Sequence, residues 1–489
     1  MWRKMILAFL PLAVLVAIPV LMRPAKTETG SGLGGAGDRV VILTPHSEAI
    51  RYEIGRAFRE YYREWFGREV SVEWRTPGGT SDIVRYIADR FESSKSRDAG
   101  IGVDLFFGGG QYDHHRQAEK GYAVDAGIQR LHPEWFRDDV MPQRFGGEIF
   151  YDPAGRYYGV CLSSFGICWN QQRLGALSEA APPSGWESLG EPRFFGTLVI
   201  ADPTKSGSVN KCYELMVQQQ IAAAVAAGQG VDQGWASGIN LIKRIAANSR
   251  TVTDSASKVS HETAAGASVA GICIDFYGRS EAEWAAIQSG GAERLVFLSP
   301  TNGTSVTADP IQLLRGAPNR DSAVAFIEFV LSEEGQKLWN YKVGAPGGPR
   351  RYALRRLPIR KELYQPQHGE YRSDADVNLY ERCAGFVYHP EWTAKYFNLL
   401  RIVIKCVALD SLPEMREAWS EILRAGGPTA VPLAMARFNA LPFGYGDLES
   451  CRRALANPSA RDVLKTQREW SESARQAYRD AARLARSGQ

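Results

Sequence analysis

A bias of charge is what this sequence most lacks. Its 489 residues hold 58 Lys and Arg against 54 Asp and Glu, a net charge of +4. Most of that surplus falls in residues 1–37, where Arg3, Lys4, Arg23 and Lys26 are opposed by Glu28 alone. The single positive charge left for the remainder excludes the concentrated basic face that nucleic acid requires. Cysteine is scarce as well: Cys161, Cys168, Cys212, Cys273, Cys383, Cys406 and Cys451 form no CxxC pair and no zinc spacing, and an odd number leaves one unpaired within a monomer. A structural metal and a disulfide framework are not indicated. Catalytic signatures are missing too. There is no G-x-S-x-G elbow, no H-E-x-x-H, and no Walker or G-x-G-x-x-G pattern at a strand-to-helix turn, so the sequence points away from an enzyme. His114 and His115 are adjacent, diverge on a helix, and make no metal site. What is present is the makeup of a packed globular protein: 44% hydrophobic, 23% charged and 11% aromatic residues, with 48 Gly and 25 Pro for turns. The length allows about two to four domains and a cleft between them.

The N-terminus reads as an export segment. Trp2, Arg3 and Lys4 precede an uncharged apolar stretch over residues 5–22, followed by Arg23-Pro24-Ala25-Lys26 and a Gly/Ser-rich run to Gly37. A signal peptide and an uncleaved membrane anchor both fit. No Cys follows closely, which excludes a lipoprotein anchor. Residues from 38 onward are therefore expected outside the cytoplasm, in the periplasm if the cell has one.

After residue 38, strand and helix patterns alternate. The apolar run at 39–43 is a strand, Thr44-Pro45-His46-Ser47 opens a helix through Ile50, Ile54, Phe58, Tyr61 and Trp65, and 69–74 alternates as a second strand. A turn at 76–80 leads into a helix over 82–91, and a strand at 103–107 ends in Gly108-Gly109-Gly110 before another helix. Three such units imply a parallel sheet with helices on its faces. Ligands of such sheets sit outside the carboxyl ends of the strands, where all three loops lie. A second block follows, with a long strand pattern over 158–169, strands at 195–200 and 268–277, a Ser/Gly-rich helix start at 206–208, and a helix over 321–339. Gly79, Thr80, Gly109, Gly110, Ser206, Gly207 and Ser208 sit at helix starts, where unpaired N–H groups and the helix dipole favour anions; ordinary N-capping is the plainer reading of any one of them. Asp275 would hold an amino group or a metal, or cap a turn. Arg279 would pair with a carboxylate or phosphonate, or be solvated.

The order of these pieces resembles the bacterial extracellular solute-binding proteins that feed ABC importers, in the subgroup that includes ferric-ion-binding proteins. The residues that carry the resemblance are Thr44-Pro-His-Ser-Glu-Ala49, Val103-Asp-Leu-Phe-Phe107, Gly185-Trp-Glu-Ser-Leu189, Asp202-Pro-Thr-Lys-Ser-Gly-Ser208, Asp275-Phe-Tyr-Gly278 and residues 325–336, after the exported N-terminus. The resemblance implies the type II periplasmic-binding-protein architecture: two α/β domains, 38–160 with 305–350 and 161–304, joined by crossing strands near 161–165 and 305–309, with the ligand between them. It also implies an ABC permease as partner, no cofactor and no catalysis. His46 stands where ferric-binding relatives place a histidine ligand, with Ser47 beside it as a further expected ligand contact, and Tyr277 stands where they carry adjacent tyrosines. Gly109-Gly110 replaces their acidic ligand, so iron would have only His46 and Tyr277 as metal ligands. The ligand expected is a small polar solute with an anionic group, such as an organophosphonate, a phosphorylated acid or a chelated metal. The alternatives are ferric iron as the transported ligand, and a membrane-tethered sensor signalling through a separate partner. Residues 351–489 are expected to form a C-terminal helical extension that completes the second domain, embraces the first or serves as an appendage for a partner, the sequence not choosing among these, and the basic cluster at 350–361 is expected to be a solvated arginine face with an internal ion pair or two.

Overall fold

The computed structural model describes residues 37–94, 99–179, 181–456 and 459–489. The apolar stretch at 5–22, with the signal or anchor helix expected there, lies outside the described residues. Among the described residues no helix is long and apolar enough to cross a membrane.

The first strands and helices follow the sequence pattern closely. Strand β1 (Asp38–Leu43) buries Val40 through Leu43, and helix α1 (Glu48–Phe66) buries Ile50, Ile54, Phe58 and Tyr62 at the spacing of one helix face. Gly67 ends α1 in the left-handed conformation, its N–H returning to the Arg63 carbonyl. Strand β2 (Val70–Arg75), helix α2 (Thr80–Glu92), strand β3 (Leu105–Phe107) and helix α3 (Gln111–Glu119) repeat the unit, and β1 and β3 pair in parallel. Strand β4 (Ala123–Val124) and a short hairpin, β5 (Arg144–Phe145) with β6 (Glu148–Ile149), precede the first crossing.

Strands β7 (Tyr158–Ser163) and β8 (Phe165–Asn170) are buried at every position and separated only by Ser164, yet they belong to different sheets. The second lobe then adds β9 (Leu198–Ala201), α4 (Gly207–Ala226), α5 (Gly230–Ala247), β10 (Ser249–Thr253), α6 (Ala256–Ala264), β11 (Ala270–Ile274), α7 (Asp275–Gln288) and β12 (Leu295–Leu298). Strand β13 (Thr307–Leu314) returns to the first sheet, followed by α8 (Arg320–Leu331), α9 (Glu333–Asn340) and β14 (Leu357–Pro358). The first sheet runs β14-β7-β13-β3-β1-β2, with β4 also on β13, and the second runs β10-β9-β11-β8-β12. Both are mixed rather than purely parallel, because the strands next to the crossings pair antiparallel: β13 with β3 and β7, β8 with β11 and β12.

Two elements differ from the sequence reading. The strand expected over 268–277 stops at Ile274, and Asp275 opens a helix. The helix expected over 321–339 breaks at Ser332, whose extended backbone lets its hydroxyl cap α9 at the Gly335 N–H.

Residues beyond 350 divide between the lobes. Buried Glu53 on α1 accepts the backbone N–H groups of Arg350, Arg351 and Tyr352 at 2.9, 2.6 and 2.9 Å, which pins this segment to the first lobe. Burial opposes the Glu53 charge, but those three donors bring its pKa below the usual carboxylate range. Strand β14 then pairs with β7, and Leu379 and Cys383 join the first lobe's core. From Phe386 onward the apolar side chains join the second lobe's core, through helices α10 (Phe397–Ile404), α11 (Leu412–Arg424), α12 (Pro432–Asn439), α13 (Leu448–Leu455) and α14 (Ala460–Arg486). Trp419 on α11, fully buried, donates its indole N–H to Asn248 Oδ1 at 2.8 Å. The helical C-terminal region thus begins with one strand of the first lobe and, from Phe386 onward, completes the second lobe's core.

Candidate functional site

Six helix N-termini converge on one cavity of about 880 Å³ between the lobes. From the first lobe come the starts of α1 at His46 and Ser47, α2 at Gly79 and Thr80, and α3 at Gly109 and Gly110. From the second come α4 at Ser206, Gly207 and Ser208, α6 at Ser255, and α7 at Phe276 and Tyr277. Each presents the positive end of a helix, equivalent to roughly half an elementary charge, and first-turn N–H groups without intrahelical partners. Side chains rarely take up those donors. The N-cap residues Ser47, Gly110, Ser255 and Ile274 make no side-chain cap hydrogen bond, whereas Ser206 Oγ accepts from Val209 N at 3.4 Å and Asp275 Oδ1 accepts from Phe276 N at 2.8 Å. The Ser206 and Ser208 hydroxyls are 3.1 Å apart.

The glycine turn after β3 exists because of what lies beneath it. Gly108 and Gly109 have φ of 90° and 101°, and a Cβ on Gly108 would stand 2.6 Å from His46 Nε2. Under the turn, the buried His114 ring stacks on Phe106 at 4.2 Å and contacts the Gly108 carbonyl at 2.9 Å. Burial brings the His114 pKa down to about 4, so this ring is neutral and structural.

At the cavity wall His46 packs edge-on to Phe107, and neither of its ring nitrogens has a hydrogen-bond partner among the described residues. Its Nε2 lies 3.8 Å from Asp309 Oδ2 on β13. Burial lowers the His46 pKa, partly offset by Asp309. Asp309 also pairs with Arg356, Nη1 to Oδ2 at 2.6 Å, while Arg356 Nη2 donates to Ser163 Oγ at 2.7 Å and the guanidinium lies 4.5 Å from the Phe276 ring centre. Arg356 is 2% exposed and lines the cavity. Burial opposes its charge, but Asp309 more than restores it, and the guanidinium stays protonated.

A second charged cluster bridges the lobes. Glu148 of the β5–β6 hairpin and Glu214 of α4 both hold the Lys211 ammonium at 2.8 Å, and that ammonium lies 3.7 Å from the Tyr388 ring centre. Burial opposes the Lys211 charge, yet the two carboxylates raise its pKa above the ordinary value.

Of the residues singled out from the sequence, His46, Ser47, Gly79, Thr80, Gly109, Gly110, Ser206, Gly207, Ser208 and Tyr277 all line this cavity. Asp275 and Arg279 do not. Because Asp275 opens a helix rather than ending a strand, the two stand one turn apart and pair at 3.0 Å. Asp275 accepts the Phe276 N–H, and Arg279 reaches the Arg355 carbonyl and Asp374 on the far side. The arginine cluster also differs from expectation. Arg356 and Arg360 are buried, and Arg355, in the left-handed conformation at φ 53°, turns away from the cleft to pair with Asp374 and Glu283. Sequence reasoning missed Arg356, Asp309, Lys211 and Glu148. The i, i+4, i+8 series Asn210, Glu214, Gln218, polar yet fully buried on one face of α4, was the available signal for the wall that Tyr388 belongs to.

Comparison with known proteins agrees with this geometry. Residues 122–363 match the family described as bacterial extracellular solute-binding protein. An uncharacterised protein of Haemophilus influenzae is 24% identical over 314 residues, 63% of this chain and 77% of that one. The phosphoglycerate transport regulatory protein PgtC of Salmonella typhimurium is 26% identical over 179 residues, which span 37% of this chain and 39% of PgtC. Among solved structures, the periplasmic binding protein AfuA of Actinobacillus pleuropneumoniae, with exogenous fructose-6-phosphate bound, shares the fold with a TM-score of 0.54 at 18% identity, covering 75% of this chain and 97% of its own. The apo ferric ion-binding protein A of Pasteurella haemolytica does so with a TM-score of 0.52 at 14% identity, covering 75% and 97%. Residues 122–363 therefore carry the likeness to the bacterial extracellular solute-binding protein family, and the two mixed sheets closing on one cavity share the fold of those solved binding proteins.

Proposed function

We propose that the protein captures a small phosphorylated or otherwise multiply anionic solute outside the cytoplasm and delivers it to an ABC importer, with no reaction of its own. The observation that carries this reading is the convergence of six helix N-termini on one cavity walled by the Arg356 guanidinium. Backbone donors aimed into a cleft suit the several acceptor oxygens of a phosphoryl group. The ligands named for relatives point the same way, fructose-6-phosphate for AfuA and phosphoglycerate for PgtC. Ferric iron fits less well. His46 and Tyr277 line the cavity, but hard cations need several anionic oxygens, and no three His, Cys, Asp or Glu side chains gather as a metal group among the described residues. The description of PgtC as a regulatory protein favours one second reading, in which the same anion-binding fold reports occupancy to a separate signalling partner.

Native mass spectrometry with metal analysis, on protein purified without chelator, tests the proposal. A phosphorylated small molecule retained at one per chain supports it. Stoichiometric iron retained instead counts against it.

A further inference from the structure

The cavity is much larger than a phosphoryl group, and its size is that of pockets enclosing a whole organic ligand. One side of it is built by residues outside the family match at 122–363: Tyr388, Lys395, Phe397, Asn398, Leu399 and Arg452. That side is held firmly. Asn210 Nδ2 donates to the Phe397 carbonyl at 2.9 Å, Gln218 Nε2 donates to the His389 carbonyl at 2.8 Å and to Thr393 Oγ1 at 2.7 Å, and Glu214 accepts from the Tyr388 and Thr393 hydroxyls at 2.8 and 2.7 Å. All three anchors are fully buried on α4. The helix that presents Ser206–Ser208 to the ligand therefore also fixes the C-terminal wall relative to them. Opposite, the Tyr112 ring of α3 meets Phe397 at 5.1 Å, and Asn398 Nδ2 donates to the Tyr112 hydroxyl at 3.4 Å.

Four of the six Lys and Arg side chains that line the cavity are paired with carboxylates. Arg356 has Asp309, Lys211 has Glu148 and Glu214, Arg116 has Glu119 at 3.1 Å, and Arg452 has Glu449 at 2.6 Å. Among the described residues, Lys205 and Lys395 are the cavity-lining Lys and Arg side chains with no carboxylate at ion-pairing distance. Lys205 adjoins the Ser206–Ser208 helix start. Lys395 belongs to the C-terminal wall, its ammonium 4.7 Å from the Tyr396 ring centre; the Glu449 carboxylate of the same wall, bound chiefly by Arg452, feels its charge without an ion pair.

We propose that the C-terminal wall is a second ligand subsite whose charged group is Lys395, and that the solute carries a second anionic group which Lys395 holds while the helix N-termini hold the first. The inference rests on the anion reading above and extends it. It assigns the selectivity of this protein to a region that the family match does not cover.

Calorimetric titration of the full chain with two matched probes tests it: 3-phosphoglycerate, and glycerol 3-phosphate, which keeps the phosphate and has a hydroxymethyl group in place of the carboxylate. The wild type is expected to prefer 3-phosphoglycerate by about tenfold or more, the size of one charge-assisted contact. Lys395→Gln is expected to bring that preference to within about threefold while leaving the glycerol 3-phosphate Kd unchanged, and Lys395→Arg to restore it. Lys395 is exposed, so these variants should keep the wild-type Tm. A wild-type preference that Lys395→Gln leaves intact, or no preference at all, overturns the second subsite while the anion reading stands. Failure of the wild type to bind either probe overturns both.

Discussion

Replacing Arg356 by methionine separates the charge of the cleft wall from its volume. The guanidinium is buried, and its partner Asp309 is largely so, with Arg356 Nη1 at 2.6 Å and His46 Nε2 at 3.8 Å. Removing one member of a buried pair leaves the other uncompensated, at a cost of about 3–5 kcal/mol. Burial by itself would raise the Asp309 carboxyl, but Arg356 and His46 together hold its pKa down to about 2. An unfolded aspartate titrates near ~3.9. A depressed folded pKa contributes stability that is present above about pH 4 and is lost as the pH falls from there to about 2, an interval worth about 2–3 kcal/mol. Urea unfolding of the wild type should therefore show an acid limb between pH 4 and 2. In Arg356→Met that limb should disappear, and stability at pH 7 should fall by about 3–5 kcal/mol. Adding Asp309→Asn should recover most of the loss, because no charge is then stranded. A loss below about 1 kcal/mol at pH 7 with the acid limb intact would refute the pairing as the source of this stability.

Three further outcomes are expected. Burial brings the pKa of Lys243 down to about 7, with its ammonium set between the carbonyls of Phe438 and Ala440. Between about pH 7 and 10 the unfolded chain then holds a proton that the folded chain does not, so stability rises with pH over that range, and Lys243→Met should flatten the rise in urea midpoints at pH 7 and 9; equal slopes would show that the lysine is charged when folded. Gly147→Ala should lower the Tm and weaken anion binding, because Gly147 has φ 84° and a Cβ there would stand 1.9 Å from the Tyr388 carbonyl oxygen, pushing the Glu148 hairpin off the C-terminal wall; an unchanged Tm would contradict that contact. All seven cysteines are free and buried, and burial pushes the Cys383 thiol up to about 12, so an aromatic disulfide reagent should titrate seven thiols in denaturant and react far more slowly with the native protein; fewer than seven in denaturant would reveal a disulfide.

The parts of the site that were legible in the sequence are those made by backbone. Ser206-Gly207-Ser208 and Gly108-Gly109-Gly110 announce helix starts through local chemistry, and the alternation of strands and helices sends those starts to one edge of each sheet. What was not legible depends on long-range pairing. Arg356 sits in a run of arginines that reads as solvated. Only the capture of residues 350–352 by Glu53, almost three hundred positions earlier, carries it onto the first lobe and into the cleft. Asp275 and Arg279 were misplaced because a buried strand and the first turn of a buried helix are both short apolar runs, and the boundary at Ile274 decides which side chains face the ligand. The C-terminal wall escaped for a related reason. Its helices were visible by spacing, and the polar i, i+4, i+8 series Asn210, Glu214, Gln218 hints at a partner, but their partners Phe397, His389 and Tyr388 lie too far along the chain for any local pattern to identify.

The most direct test of the central claim is a calorimetric comparison of 3-phosphoglycerate and fructose 6-phosphate with their unphosphorylated counterparts, and with ferric citrate. One phosphorylated solute is expected to bind one-to-one and at least about a hundredfold more tightly than its unphosphorylated form. Stoichiometric ferric iron with a tyrosinate absorption band that Tyr277→Phe removes, together with no binding of either phosphorylated solute, would contradict it.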